Sequence, residues 1–255
     1  MTATSAELLE LFDRVVASVQ EALSVVELHD SWRVKGERAG QYGLDLHADA
    51  AGLAILDAAG VGVLSEESGR HRPDAAVCVV VDPVDGSTNA SRRIPWFATS
   101  LCAVDAEGPW VAQVTNLATD TTWRAVRGEG ATRDGAPIEV SPVEALGAAV
   151  VLVNGYPPER LGWRQFRALG ATALDLCMVA DGSADGYVDF GGGALGPWDY
   201  LGGMLIAQEA GGVVAARSGG LLSLDHSSRR SVLAAGTSTL LAELADAPVA
   251  GGQRS

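Results

Sequence analysis

One stretch of the chain, VCVVVDPVDGSTNAS at residues 77–91, limits what the rest can fold into. Its nearly continuous valine-rich run indicates a strand covered on both faces. Asp82 should end that strand in an extended conformation, because it precedes Pro83, which turns the chain. Asp85 follows about one turn later, so both carboxylates can face one point beyond the strand's carboxyl end, where ligands bind in open sheets. A plain turn with two solvated acids is the alternative.

The residues after Asp85 favour a ligand. Gly86 lets the backbone approach a bound group closely, and residues 87–89 (Ser-Thr-Asn) start a helix that we expect to end before Pro95. A helix N-terminus presents free N–H groups that suit a phosphate. The segment therefore predicts a metal ion that bridges a phosphoryl group.

Two more acidic positions fit such a site. In LSEESG, Glu66 and Glu67 follow a predicted strand, although paired acids there are commonly just solvated. In GPWDYLGGMLIAQEAGG, Asp199 stands at a predicted helix start, where aspartate is also a favoured cap. Capping and metal binding are compatible, because one carboxylate oxygen can do each.

Strand and helix patterns alternate along the chain and predict a layered α/β fold. A helix with one apolar stripe is expected from Ser5 to about Val26. GLDLHADAAGLAILDAAG predicts a short strand followed by a helix that closes on Gly60, and residues 96–135 predict an antiparallel meander. Strands and helices alternate again beyond residue 148. We place a boundary near residues 142–148, giving an N-terminal half, 1–145, and a C-terminal half, 146–255.

The composition indicates which classes of partner the chain can bind and in which compartment it is expected. The net charge of −14 disfavours nucleic acid and anionic lipid, and a phosphorylated metabolite would need local cations. Cys78, Cys102 and Cys177 lie in apolar runs without ligand-like spacing, which predicts buried, reduced thiols. The sequence shows neither a membrane span nor a secretory signal, so a cytoplasmic location is expected.

The motifs together resemble those of a known family. DPVDGSTN is similar to the D-P-[IV]-D-G-[ST]-[TS]-N motif of the inositol monophosphatase family, SEES is similar to its G-E-E-S, and WDYLGGMLIAQEAGG is similar to its W-D signature. The three segments occur in the family's order, within a looser correspondence from about residue 5 to 242. The resemblance implies the αβαβα sandwich of the inositol monophosphatase/fructose-1,6-bisphosphatase type, with a homodimer common among members.

The resemblance also implies a Mg²⁺-dependent phosphomonoesterase with two or three ions, in which Mn²⁺ can substitute. Matched motif by motif, Glu66, Asp82 and the Val84 carbonyl would hold one ion, and Asp82, Asp85 and Asp199 a second. Carboxylate oxygens are the ligands that Mg²⁺ prefers.

Catalytic and substrate-binding roles come from the same resemblance. Ser87 and Asp49 would orient the attacking water with Glu66, and the N–H groups of Gly86 and Ser87 would bind phosphate oxygens. Asp85 and Asp189 would contact the substrate.

The chain departs from the family pattern in three places. The spacing around Asp49 is shorter, with His47 expected in a loop or strand and not as a ligand. The early family lysine has no match at its usual distance, Lys35 being the nearest candidate. The loop after Asp189, with residues 191–193 all glycine, is about three residues longer and should alter substrate choice.

Several functions stay open at this level. An inositol or other polyol phosphate is the first expected substrate, with histidinol phosphate, a sugar bisphosphate and a 3′-phosphonucleotide as alternatives. A non-catalytic regulatory or assembly protein that keeps the fold is an alternative of another class. A Ca²⁺ module is disfavoured, because the D-x-D-x-D-G spacing is missing.

Overall fold

The computed structural model describes residues 3–28, 42–159 and 161–247. Lys35 and the segment beyond residue 247 lie outside these ranges. Six α-helices are described: α1 Ser5–Leu28, α2 Gly43–Ala59, α3 Ser87–Arg92, α4 Thr172–Ala180, α5 Pro197–Glu209 and α6 Ser238–Ala245. Within the described residues, none of the helices combines the length and the apolar character that crossing a bilayer requires.

The larger sheet contains eight strands in the order β2-β1-β3-β4-β5-β6-β7-β8. They are β1 Gly62–Ser65, β2 Gly69–His71, β3 Cys78–Asp85, β4 Ala98–Asp105, β5 Gly108–Asn116, β6 Thr122–Val126, β7 Gly130–Arg133 and β8 Ala136–Pro137. Strands β4 to β8 form the expected antiparallel meander, which β3 extends by pairing antiparallel with β4, whereas β1 and β3 are parallel.

The smaller sheet contains five strands in the order β10-β9-β11-β13-β12. They are β9 Val150–Asn154, β10 Gln165–Arg167, β11 Gly186–Asp189, β12 Val213–Ala216 and β13 Val232–Ala235. A short 3-10 helix, Leu146–Ala148, precedes β9. The sheets thus comprise residues 62–137 and 150–235; the division at residues 145 and 146 stays a prediction.

The elements form five layers around three apolar cores, which confirms the predicted αβαβα sandwich. The first core packs α1 and α2 on the larger sheet, the second holds α4 and α5 between the two sheets, and the third packs α6 on the smaller sheet. Strand β3 shows why its valine run is uninterrupted. Val79 faces the first core and Val80 the second, so both faces of this strand are buried.

Two local predictions were wrong. The short strand expected before α2 is helix from Gly43 onward, since Leu44, Ala48 and Leu56 recur at multiples of four residues and are all buried. Strand β3 also continues through Asp85 instead of ending at Asp82.

The continuation of β3 has a structural reason. Its pairing with β4 shifts register between Asp82 and Asp85, an irregularity that accommodates Pro83, which has no N–H for the ladder. The Thr99 hydroxyl donates to the Pro83 carbonyl at 2.8 Å and holds this bend. Asp82 and Asp85 therefore belong to one buried strand.

Candidate metal centre

Glu66 and Asp82 are brought side by side by parallel strands. Ser65 of β1 is paired with Val81 of β3, and the Glu66 N–H donates to the Val81 carbonyl at 3.2 Å. The next residue of each strand is an acid, so both carboxylates leave the sheet at one edge. The Val84 N–H donates to Asp82 Oδ1 at 2.9 Å and fixes that side chain.

Asp199 reaches the same place from helix α5. It lies in the first turn, where the Gly196 N–H donates to Asp199 Oδ2 at 2.6 Å and closes the helix N-terminus. The Ser100 hydroxyl donates to the Trp198 carbonyl at 3.3 Å and links this turn to β4. Asp199 therefore lies at a helix start, as the sequence predicted, and its carboxylate caps that helix.

Glu66, Asp82 and Asp199 form a three-carboxylate cluster. One oxygen from each lies within 4.8 Å of the others, a spacing at which a single cation can contact all three. The donor set is entirely oxygen, which fits a hard divalent ion. The structure thus brings together three of the four acids that the sequence assigned to metal binding.

Electrostatics favour a cation here. Burial raises the pKa of Asp82 well above its ordinary value, and the negative charges of Glu66, Asp85 and Asp199 raise it further. Burial likewise raises the pKa of Asp199, helped by Glu66 and Asp85 and opposed by its bond from Gly196 and by the charge of Arg229. A divalent ion would relieve this repulsion.

Asp85, the fourth predicted ligand, lies beside the cluster. Its Oδ2 accepts the Ala173 N–H at 2.7 Å, at the start of α4. Burial raises its pKa to about 7, with the charge of Glu66 adding to the rise and hydrogen bonds from the backbone of Ala173 and Thr172 opposing it. Its role as a ligand of a second ion stays a prediction.

The predicted phosphate-binding turn follows directly. Gly86 has φ 84°, and an added Cβ would meet the Trp96 carbonyl oxygen at 3.0 Å, so glycine is required for two reasons. Ser87 begins α3, the expected short helix. The Asn89 side chain donates to the carbonyls of Trp96 and Leu169 at 2.8 and 2.7 Å and fixes this helix against two loops.

Asp49 is buried on α2, where its Oδ1 accepts a hydrogen bond from the Ser65 hydroxyl. Ser65 immediately precedes Glu66, so Asp49 supports the strand end that carries a clustered acid. Its predicted partnership with Ser87 stays a prediction.

Sequence reasoning passed over Asp45, four residues before Asp49 on the same helix. It is buried, its Oδ2 accepts the Tyr42 N–H at 2.8 Å, and its charge contributes to the raised pKa of Asp82, though less than burial and the charges of Glu66, Asp85 and Asp199. Two acids at i and i+4 share a helix face. The same spacing also fits one face of a strand, which is what the sequence predicts for this segment, so the sequence alone does not single out Asp45.

Asp189 is fully buried at the end of β11. Its Oδ1 accepts the Asn154 side-chain N–H at 3.0 Å and the Gly191 N–H at 2.8 Å. Gly191 passes so close that an added Cβ would lie 2.9 Å from that oxygen. The glycine-rich loop thus covers Asp189, whose contact with a substrate stays a prediction.

The remaining candidates lie outside the cluster. His47 is exposed on α2, with its Nδ1 2.7 Å from the Gly43 carbonyl, so it is a helix-surface residue and not the loop or strand residue expected. Cys78, Cys102 and Cys177 are free and buried, as expected, and burial raises the pKa of each thiol.

The fold and the acidic cluster define a class: a five-layered α/β protein with a candidate metal centre at the edge of its larger sheet. The model of the inositol monophosphatase family matches residues 59–250. A fructose-1,6-bisphosphatase/inositol-1-monophosphatase of Archaeoglobus fulgidus is 34% identical over 239 residues, which cover 89% of this chain and 92% of that protein. The chain belongs to the inositol monophosphatase family.

The chain is also similar to a second relative in sequence and to a solved structure. The Nus factor SuhB of Salmonella typhimurium is 34% identical over 174 residues, covering 62% of this chain and 64% of SuhB. A solved structure from Pyrococcus horikoshii, described as a hypothetical protein with similarities for inositol-1 monophosphatase, superposes with a TM-score of 0.86. It covers 96% of this chain and 99% of its own, at 23% identity, and supports the fold alone.

Proposed function

We propose that the protein hydrolyses a small phosphate monoester with the help of divalent cations, Mg²⁺ first and Mn²⁺ as a substitute. The observation that carries this proposal is the cluster of Glu66, Asp82 and Asp199 within 4.8 Å. Membership of the family supports it. The acids lie beside a turn whose backbone can receive a phosphate, so cation and anion sites adjoin.

The acids of the site are assigned to two metal ions. Glu66, Asp82 and the Val84 carbonyl would hold one ion, and Asp82, Asp85 and Asp199 would hold the second. When bound, such ions supply positive charge for the phosphate and for the leaving oxygen. The net charge of the chain is −14, and the acids at the site would repel an anionic substrate. The positive charge of the ions offsets this repulsion.

The remaining groups position the reactants. The N–H groups of Gly86 and Ser87 bind phosphate oxygens at the start of α3. The Ser87 hydroxyl and Asp49 orient the attacking water. Positioning and charge stabilisation supply most of the acceleration in phosphoryl transfer.

We assign an inositol or similar polyol phosphate as the first substrate. The Archaeoglobus relative is named for both a sugar bisphosphate and an inositol monophosphate, so a sugar bisphosphate belongs in the same test. Histidinol phosphate and a 3′-phosphonucleotide complete the panel.

The test is phosphate release from that panel with Mg²⁺, Mn²⁺ or chelator. The parent should release phosphate only with a metal, and Asp82→Asn should be at least about 100-fold slower. Asp74→Asn, which changes an exposed acid away from the cluster, is the matched control. Full activity of Asp82→Asn would remove the basis of the proposal.

A second candidate is a non-catalytic regulatory or assembly role, favoured by the SuhB relatives that are named as Nus factors. Metal binding measured by calorimetry, combined with no phosphate release from any substrate in the panel, would favour this role. A homodimer is proposed on family grounds alone. Analytical ultracentrifugation would show the mass of one chain or of two.

A further inference from the structure

Residues 225–229, here called the clasp, contact the backbone of Glu66 and the residue that precedes Asp199. His226 Nε2 is 3.1 Å from the backbone carbonyl oxygen of Glu66. A carbonyl oxygen only accepts, so Nε2 carries the hydrogen and donates. The clasp therefore holds the backbone of Glu66 from outside the sheet.

The same clasp contacts the residue before Asp199. The His226 ring lies with its centroid 4.8 Å from that of Trp198, and the Arg229 guanidinium carbon lies 5.0 Å from the Trp198 ring. Trp198 is 3% exposed, so its position is fixed by packing. One side chain, His226, thus links the segments that carry Glu66 and Asp199, two acids far apart in the sequence.

The clasp is anchored independently of the acids. Arg70 Nη1 donates to the carbonyl of Leu224, the residue just before the clasp, at 3.1 Å. Inside the clasp, Arg229 Nη1 donates to the His226 carbonyl at 2.8 Å. Backbone bonds between Leu195 and Arg230, at 3.2 and 2.8 Å, close its far end. His226 therefore has a fixed base from which to hold Glu66.

The positions of Glu66 and Asp199 need support from neighbouring residues. Glu66 follows β1 and Asp199 begins α5, and their negative charges favour separation when no cation lies between them. If the ligands are far apart in the free protein, ordering them lowers the affinity for the ion, whereas a preorganised site avoids this entropy loss. Groups that support metal ligands commonly change affinity by 10- to 100-fold when they are removed.

We propose that His226 is a positioning residue for the metal centre: its hydrogen bond to Glu66 and its ring contact with Trp198 keep Glu66 and Asp199 at the separation at which the acidic cluster binds divalent ions. This proposal rests on the proposed function for the identity of the ion. It assigns His226 no contact with substrate.

The test compares two side chains of similar size, one with an N–H donor and one without. His226→Met covers Trp198 but cannot donate to Glu66, whereas His226→Gln can. Calorimetric titration with Mg²⁺ and with Mn²⁺ should show about tenfold weaker binding for the Met variant. The Gln variant should stay within about threefold of the parent, and cooperative urea unfolding in chelator checks that each variant is folded.

His71→Met is the matched control. His71 lies in the neighbouring hairpin, where its Nε2 is 3.0 Å from the Ser68 hydroxyl, and its replacement should leave metal affinity unchanged. Equal affinities of the Met and Gln variants, whether strong or weak, would overturn the proposal. If the parent binds metal but releases no phosphate, the proposed function fails while the role of His226 is still decided by the two affinities.

Discussion

The Asp85 carboxylate accepts a hydrogen bond from the backbone N–H of Ala173, with the two atoms 2.7 Å apart. This bond joins the end of β3 to the first turn of α4, across the junction between the larger sheet and the central helix layer. Asp85 therefore has two roles: it binds the N-terminus of α4, and it adds negative charge beside the acidic cluster.

Replacing Asp85 by Asn separates these two functions. Asn can still accept the Ala173 N–H through its side-chain oxygen, so the variant should fold, but it offers no negative charge to an ion. We expect phosphate release to fall at least about 100-fold, with calorimetry showing the loss of one bound ion. Hydrolysis equal to that of the parent, with Asp74→Asn as control, would exclude Asp85 as a ligand.

The stability of the metal-free protein should fall as pH rises from about 4 to about 7. Burial raises the pKa of Asp85 from 3.8 to about 7, and the pKa values of Asp82 and Asp199 are raised as well. In this window the folded state binds more protons than the unfolded state, so the free energy of unfolding decreases with pH.

Urea unfolding in chelator from pH 4 to pH 8 measures this slope. Saturating Mg²⁺ should abolish it above pH 6, because the bound ion stabilises the ionised carboxylates. A flat profile in chelator would show that these acids keep their ordinary pKa values in the folded protein, and a free energy of unfolding that rises with pH would show that folding lowers those values.

Gly202 on α5 should not tolerate a side chain. An added Cβ would lie 2.7 Å from the Ser100 hydroxyl oxygen and 3.3 Å from a Val114 methyl group, because this helix packs closely on the sheet. Gly202→Ala should lower the free energy of unfolding by about 1–3 kcal/mol. It should also weaken metal binding, since the same helix carries Asp199.

Gly52→Ala on α2 is the matched control for that change. Its Cβ would meet Val15 at an ordinary 3.4 Å, so the helix preference of alanine should raise stability by about 0.5–1 kcal/mol. Chemical denaturation of both variants measures the difference. Equal effects at the two positions would show that packing at Gly202 is looser than the structure indicates.

Removing the Asp189 carboxylate should affect both stability and substrate affinity. Asp189→Ala leaves the Asn154 amide and the Gly191 N–H without their acceptor, at a cost of about 1–3 kcal/mol. If Asp189 also meets a substrate hydroxyl when the loop opens, KM should rise several-fold while kcat changes little. An unchanged KM would restrict Asp189 to fastening the loop.

The sequence predicted the layers of the fold well and the individual contacts less well. The valine run of β3, the apolar stripe of α1 and the glycines that end α2 and follow α5 are local patterns, and the elements that they predict are present. The strand expected before α2 failed because acids and apolar residues four apart fit either a strand or a helix face. Only packing against α1 decides between them.

By itself, the sequence determined which chemical groups are available: an acid after β1, two acids in β3, an acid in the first turn of α5 and a glycine directly after β3. The tertiary structure decided which of these groups meet. It placed Glu66, Asp82 and Asp199 within 4.8 Å, joined Asp49 to Ser65, and folded a loop over Asp189. The reason is physical: backbone preference depends on near neighbours in the chain, whereas these distances depend on strand register and helix packing between residues far apart in it.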